Sequence, residues 1–250
     1  MSNQTTSNTR AIVLALQRGI WWLSKYWVVV AMLLAVGFFT LALLAPALMA
    51  EGYTEAGQRV YRLLAPHDHQ LPQRSYFLFG QNGLVRSYSL EQVLAWGADP
   101  SNLRAFVGNP EIGFKMGLNY RMTAIFAGIV LGGIVWVFAG GRPQLGWGWL
   151  LLLTLPLLLD AFSHRSSEIT GSGWRETNLW AVSLTGGALP PQFASGTTIG
   201  TLNWLLRTVT GFIFGLGLVW ALFTFFGKRF AGIQAQLKPK FARQKSKTDL

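Results

Sequence analysis

The chain predicts an all-α polytopic membrane protein: four transmembrane helices, an N-terminal amphipathic helix and a small extracytoplasmic cap. Three observations carry this. Hydrophobic residues make up 51% of the 250 residues and charged residues only 12%, about half the charged share of a soluble domain. Four apolar stretches are long enough to cross a bilayer or nearly so, against the roughly 20 residues a spanning helix needs. The basic residues gather at the flanks of those stretches, with seven of the 21 between Lys228 and Lys247.

In chain order, Met1 to Thr9 is polar and expected to be disordered. Arg10 to Tyr26 mixes Arg10, Arg18 and Lys25 with Ile12, Leu14, Leu16, Ile20 and the Trp21-Trp22 pair, the pattern of an interfacial amphipathic helix leading into the membrane. Trp27 to Ala50 is an uncharged apolar run that starts too late and runs too long for a signal peptide. Residues 51–121 form the first long connection, expected to be an ordered cap because aromatic residues run through it. Within it, Ser89 is the N-cap of a short helix through Trp96, and Asp99-Pro100 and Asn109-Pro110 mark turns.

The second span is Met122 to Ala139, rich in glycine, and Gly140-Gly141-Arg142-Pro143 turns into a third from about Leu145 to Leu159. A second polar connection occupies 160–203. The last span runs from about Trp204 to Phe226. The expected organisation is therefore an N-terminal segment 1–26, a membrane domain 27–227 with outer loops 51–121 and 160–203, and a basic tail 228–250. The three short flanks are basic, so both termini are expected on the cytoplasmic side and both long connections outside.

The net charge of +11 suggests contact with anionic lipid headgroups rather than nucleic acid, since it sits beside apolar helices. With no cysteine, a disulfide, a thiolate metal site and a Cys nucleophile are excluded. The four apolar runs contain no histidine, so b-type haem is not expected.

The polar residues nonetheless converge on the outer side. Pro66 and Pro72 bracket His67, Asp68, His69 and Gln70 and restrict the backbone around them. Asp160 and His164, at i and i+4, share a helix face if the third helix continues past Leu159. Arg74 lies in the histidine loop, and Arg121 and Arg207 lie at the outer starts of two spans.

Three readings stay open. His69, Asp160 and His164, with His67 or Asp68 as further candidates, could hold one divalent metal ion with an open position, their ring nitrogens supported by Asp68 or Asn203. Alternatively, Asp160 pairs with Arg121 or Arg207, and the histidines serve only the fold. In the third reading, Arg74, Arg121 and Arg207 form a site for an anion or a lipid headgroup. Tyr76, Trp96 and Trp174 fit interfacial anchoring.

Four blocks also carry a resemblance. His69-Gln70-Leu71-Pro72-Gln73-Arg74-Ser75-Tyr76-Phe77, Asn119-Tyr120-Arg121-Met122-Thr123-Ala124-Ile125-Phe126-Ala127-Gly128, Pro156 to Asp160 with His164, and Asn203 to Gly215 with Arg207, Thr210 and Gly211 are similar in order to the conserved blocks of a prokaryotic membrane protein family, the domain-of-unknown-function family twenty eighty-five. The family's three cysteines fall at Asp68, Asn119 and Met122, and a family glycine falls at Ala161. The resemblance implies a prokaryotic cytoplasmic membrane protein with its site on the outer face, and it implies no reaction. Two function classes follow: a metal-dependent or catalytic protein acting on a lipid-like substrate, or a non-catalytic subunit of a larger membrane complex.

Overall fold

A computed structural model describes residues 2–81 and 83–248. Helix α1 (Ser2–Ala50) is continuous. The Arg10 to Tyr26 and Trp27 to Ala50 segments belong to this one helix, with neither Gly nor Pro at Tyr26-Trp27 to interrupt it. After a tight turn come α2 (Thr54–Leu64), a 3₁₀ turn (Pro72–Arg74), strands β1 (Ser75–Gly80) and β2 (Gly83–Arg86), and α3 (Leu90–Ala95). A second 3₁₀ turn (Leu103–Ala105) leads to β3 (Gly108–Asn109) and β4 (Gly113–Asn119). The rest is helical: α4 (Tyr120–Phe138), α5 (Trp147–Thr170), the short α6 (Trp174–Thr177), α7 (Leu179–Leu184) and α8 (Pro191–Ala194), and α9 (Leu202–Thr248). Four helices are long and apolar enough to cross a membrane, over Ala11–Ala50, Tyr120–Phe138, Trp147–Thr170 and Leu202–Phe241.

The protein is mostly helical, but all-α is corrected by the region between α2 and α4. It holds a four-stranded antiparallel sheet in the order β2-β1-β4-β3. In β1 the buried Ser75 and Phe77 alternate with less buried neighbours, the period-2 pattern of a strand with one face on a core. β4 is buried along nearly its whole length, as a central strand is. The turn before it falls at Asn109-Pro110 as expected, with Asn109 Oδ1 accepting from the amides of Glu111 (2.9 Å) and Ile112 (3.0 Å). Gly108 must be glycine, since its φ is +99° and a Cβ would lie 2.1 Å from the Gly113 carbonyl oxygen. The cap of α3 is also as expected: Ser89 Oγ accepts from the Gln92 amide (3.2 Å) while Gln92 Oε1 accepts from the Ser89 amide (2.8 Å).

α9 is the spine of the helical layer. Small residues let α4 approach it closely, and a Cβ on Gly215 would meet the Ile125 carbonyl oxygen at 2.2 Å and one on Gly128 the Phe212 oxygen at 2.3 Å. α1 closes this group from the other side, stacking Phe38 on Phe126 and setting Trp27 edge-on to Trp136 and Phe223. α5 packs on a separate flank of α9, with Leu150 and Leu153 around Gly217 and the Leu145 amide donating to Thr224 Oγ1 (3.2 Å).

The C-terminal part of α1 packs on the sheet and α2: Ala42 and Ala45 are fully buried, against Leu64, Met116 and Leu118 and against Tyr61 and Phe114 respectively. At the other end α9 continues through the basic tail as far as Thr248. It stays beside α1, with Trp21 edge-on to Phe241 and Gln234 Nε2 donating to the Ser24 carbonyl (2.5 Å).

Candidate anion site

The C-terminal end of α5 does continue past Leu159, so Asp160 and His164 share a buried face of one helix. This corrects the reading that no spanning helix carries a histidine. Asp160 is held between two guanidinium groups, Oδ2 accepting from Arg121 Nη2 at 2.5 Å and Oδ1 from Arg175 Nη2 at 2.7 Å. Arg121 is one of the two arginines the sequence suggests; Arg207, the other, forms no ion pair with Asp160. Arg175, at 2% exposure, is not foreseen, because nothing in its own neighbourhood marks it.

The folding of the second connection is what delivers Arg175. Its Nη1 donates to Asn178 Oδ1 (2.8 Å), and Asn178 Nδ2 donates to the Ala194 carbonyl (2.7 Å). Asn203 Nδ2 donates to the carbonyls of Arg175 (2.6 Å) and Gly196 (2.8 Å). Asn203 therefore fixes this connection and supports no histidine ring. Burial lowers the Arg175 guanidinium pKa from its ordinary value, and the charge of Asp160 opposes that shift. Arg175 Nη2 also lies 3.2 Å from His164 Nε2. A guanidinium can only donate, so that ring nitrogen is the unprotonated one.

The other wall comes from the proline-bracketed loop. Gln70 adopts φ +50°, which turns its side chain inward to donate to the carbonyls of Tyr61 (3.0 Å) and Gly117 (3.1 Å). Asp68 is also turned inward, accepting from the Gln70 amide (2.6 Å), the Asn119 amide (2.8 Å) and Asn119 Nδ2 (2.9 Å). Burial raises the Asp68 pKa, and those hydrogen bonds oppose the shift. Asp68 is thus no candidate ligand in the cleft, and His67 faces Phe38 edge-on instead. His69 does line the cleft.

Beneath this loop Lys115 is fully buried, Nζ donating to the carbonyls of Gln70 (2.9 Å) and Arg104 (2.6 Å). Burial pulls its pKa down to about 7, with the Arg104 charge adding to that and Asp68 opposing it. Between this value and the ordinary lysine value of about 10.4, the unfolded chain binds a proton that the folded one lacks, so stability rises with pH across that window. We expect the melting temperature to climb from pH 7 to 9, by on the order of a few kcal/mol in stability at most. In Lys115→Met the slope should flatten, and an unchanged slope in melting curves of that variant would refute the assignment.

Between the two walls lies a cavity of about 410 Å³, lined by His69, Leu71, Arg74, Asn119, Arg121, Ala161, His164, Arg165, Glu168 and Arg207. Its volume is within the range of small-ligand sites. Arg74 pairs with Glu168 across the cavity. Counting Arg175 and Asp160 behind the lining, five arginines face two carboxylates. The Nε–H donors of Arg74, Arg121, Arg175 and Arg207 are all buried with no acceptor among the described residues. Arg207 goes further. It is 4% exposed, and its guanidinium makes no hydrogen bond or ion pair with any described residue.

The expected metal triad is not assembled as a metal centre: among the described residues no group of three or more His, Cys, Asp and Glu could hold an ion. Both oxygens of Asp160 are taken up by guanidinium groups, and that excess of positive charge repels a cation. Comparison with family models, with curated proteins and with solved structures finds no match to this chain.

Proposed function

We propose that this chain is an integral membrane protein whose outer-face cleft binds a phosphate-type anion, gripped by Arg207, Arg121 and Arg74. The observation that carries this is Arg207, buried with no hydrogen bond or ion pair to any described residue. An isolated buried charge is strongly unfavourable unless a counter-charge reaches it, and the guanidinium fork matches the oxygens of phosphate. The spare Nε–H donors supply further hydrogen bonds to the same anion. The basic flanks support a topology with both termini cytoplasmic, and so a cleft opening on the outer side of a prokaryotic cytoplasmic membrane.

Kinship with family twenty eighty-five is part of this reading. In its support, two of the positions where that family has cysteine, Asp68 and Asn119, are joined here by hydrogen bonds, and Asn119 Oδ1 accepts from the amide of the third, Met122 (3.0 Å).

Thermal melting of the detergent-purified protein tests the anion. Inorganic phosphate at a hundredfold excess over its Kd should stabilise the protein by about 2.7 kcal/mol, whereas Zn²⁺ should not stabilise it. Stabilisation by Zn²⁺ and none by phosphate would reverse the assignment in favour of a metal.

A further inference from the structure

We propose that the projecting ends of α1 and α9 form a docking surface for one helix of a partner protein, apolar along one seam and acidic beside it. Level is the first argument. Trp27 of α1 stands edge-on to Trp136, near the end of α4, and Trp147, the first residue of α5, stands edge-on to Phe225 of α9. α4 and α5 therefore stop at this level, at the end of the bundle away from the anion cleft. Among the described residues only α1 and α9 run on past it, over 2–26 and 227–248, roughly 30 Å of paired helix. Trp21 against Phe241 and Gln234 on the Ser24 carbonyl hold the two together there.

The opposite side of α1 is left open. Ile12, Ala15, Leu16, Gly19, Ile20 and Leu23 line a shallow apolar depression, centred about 140° around the helix from Trp21 and Ser24. Ile12 and Leu16 are each 61% exposed. The steps of four, three and four residues through Ile12, Leu16, Gly19 and Leu23 make a heptad seam, which a second helix can enter side by side. A Cβ on Gly19 would meet nothing within 4 Å, so the middle of the seam has room for a close neighbour.

Charge selects the occupant. Over residues 1–26 and 228–248 the sequence carries ten Lys and Arg and no Asp or Glu, and Arg18, Lys25, Lys238 and Lys240 are exposed. Hydrocarbon does not surround a stretch with such side chains at the same height. Nor can the seam lie down on the bilayer that α1 crosses, because the helix is unbroken between the seam and its membrane-spanning part. A second copy would set like charges against each other. A helix with apolar residues at heptad spacing and Asp or Glu beside them satisfies both the seam and its basic surroundings.

The test uses the full chain in phosphatidylcholine nanodiscs. Two labelled synthetic helices about three heptads long serve as probes, both with leucine at the seam positions, one flanked by glutamate and the other by lysine. The acidic helix should bind at least about tenfold more tightly than the basic one, and added salt should narrow the difference. A photoreactive group on its seam should mark the segment from Ala11 to Lys25. Leu16→Glu, at an exposed position, should weaken the acidic helix at least about tenfold and leave the melting temperature unchanged.

Equal binding of the two probes would overturn the acidic character of the partner, and binding of neither would overturn the docking surface itself. Light scattering in detergent that finds a dimer, split by Leu16→Glu, would give the seam to a second copy instead. Phosphatidylserine vesicles that bind the chain in place of the acidic helix, with the same loss in Leu16→Glu, would give it to a lipid surface.

Discussion

Arg207→Met is expected to abolish phosphate-dependent stabilisation while leaving the unliganded protein as stable as before, or more so. The two effects separate because Arg207 has no hydrogen bond or ion pair to lose among the described residues. Truncating one member of a paired, buried ion pair leaves the other charge stranded, which is the usual source of a large penalty. Here the unliganded protein sheds an uncompensated buried charge, and methionine keeps most of the side-chain volume. Binding suffers instead: a desolvated charge–charge contact contributes about 2–5 kcal/mol, or roughly 30-fold to several thousand-fold in Kd. Phosphate titrations followed by melting temperature check both halves. A variant that melts much lower without phosphate would show that Arg207 serves the fold.

Asp160→Asn should do the reverse. Its carboxylate is the shared counter-charge of Arg121 and Arg175, so neutralising it strands two guanidinium groups among three further arginines. We expect a loss of about 3–5 kcal/mol, which for a chain of this length is a fall in melting temperature of about 10 °C. Phosphate affinity should rise in the same variant, since the cleft becomes more positive. Opposite signs on stability and on binding distinguish Asp160 as the brace of the site from Arg207 as its anion contact. Equal melting temperatures for Asp160→Asn and the parent chain would remove Asp160 from that role.

Much of this architecture is legible in the sequence because it is local. The four apolar runs, the Ser89 cap and the Asn109-Pro110 turn each depend on residues within a turn or one run of one another. The shared face of Asp160 and His164 follows from helical spacing alone, once α5 is known to continue. The convergence of Arg74, Arg121 and Arg207 on one side follows from where each stands relative to a span. Their charge also makes an anion site one of the readings open from the start.

What only the tertiary structure decides is which partner each of these groups finds. A hydrophobic run has the same sequence whether lipid or protein covers it, so the burial of Ala42 and Ala45 by β4 and α2 could not be separated from membrane burial. The sheet requires β1 to pair with β4 some forty residues later, and no local period specifies that match. Arg175 reaches Asp160 because Asn178 and Asn203 fold the second connection back over α5. With Asp160 held by Arg121 and Arg175, Arg207 is left without a hydrogen bond or ion pair to any described residue, and that arrangement, set by distances across three chain segments, is what the proposed anion site rests on.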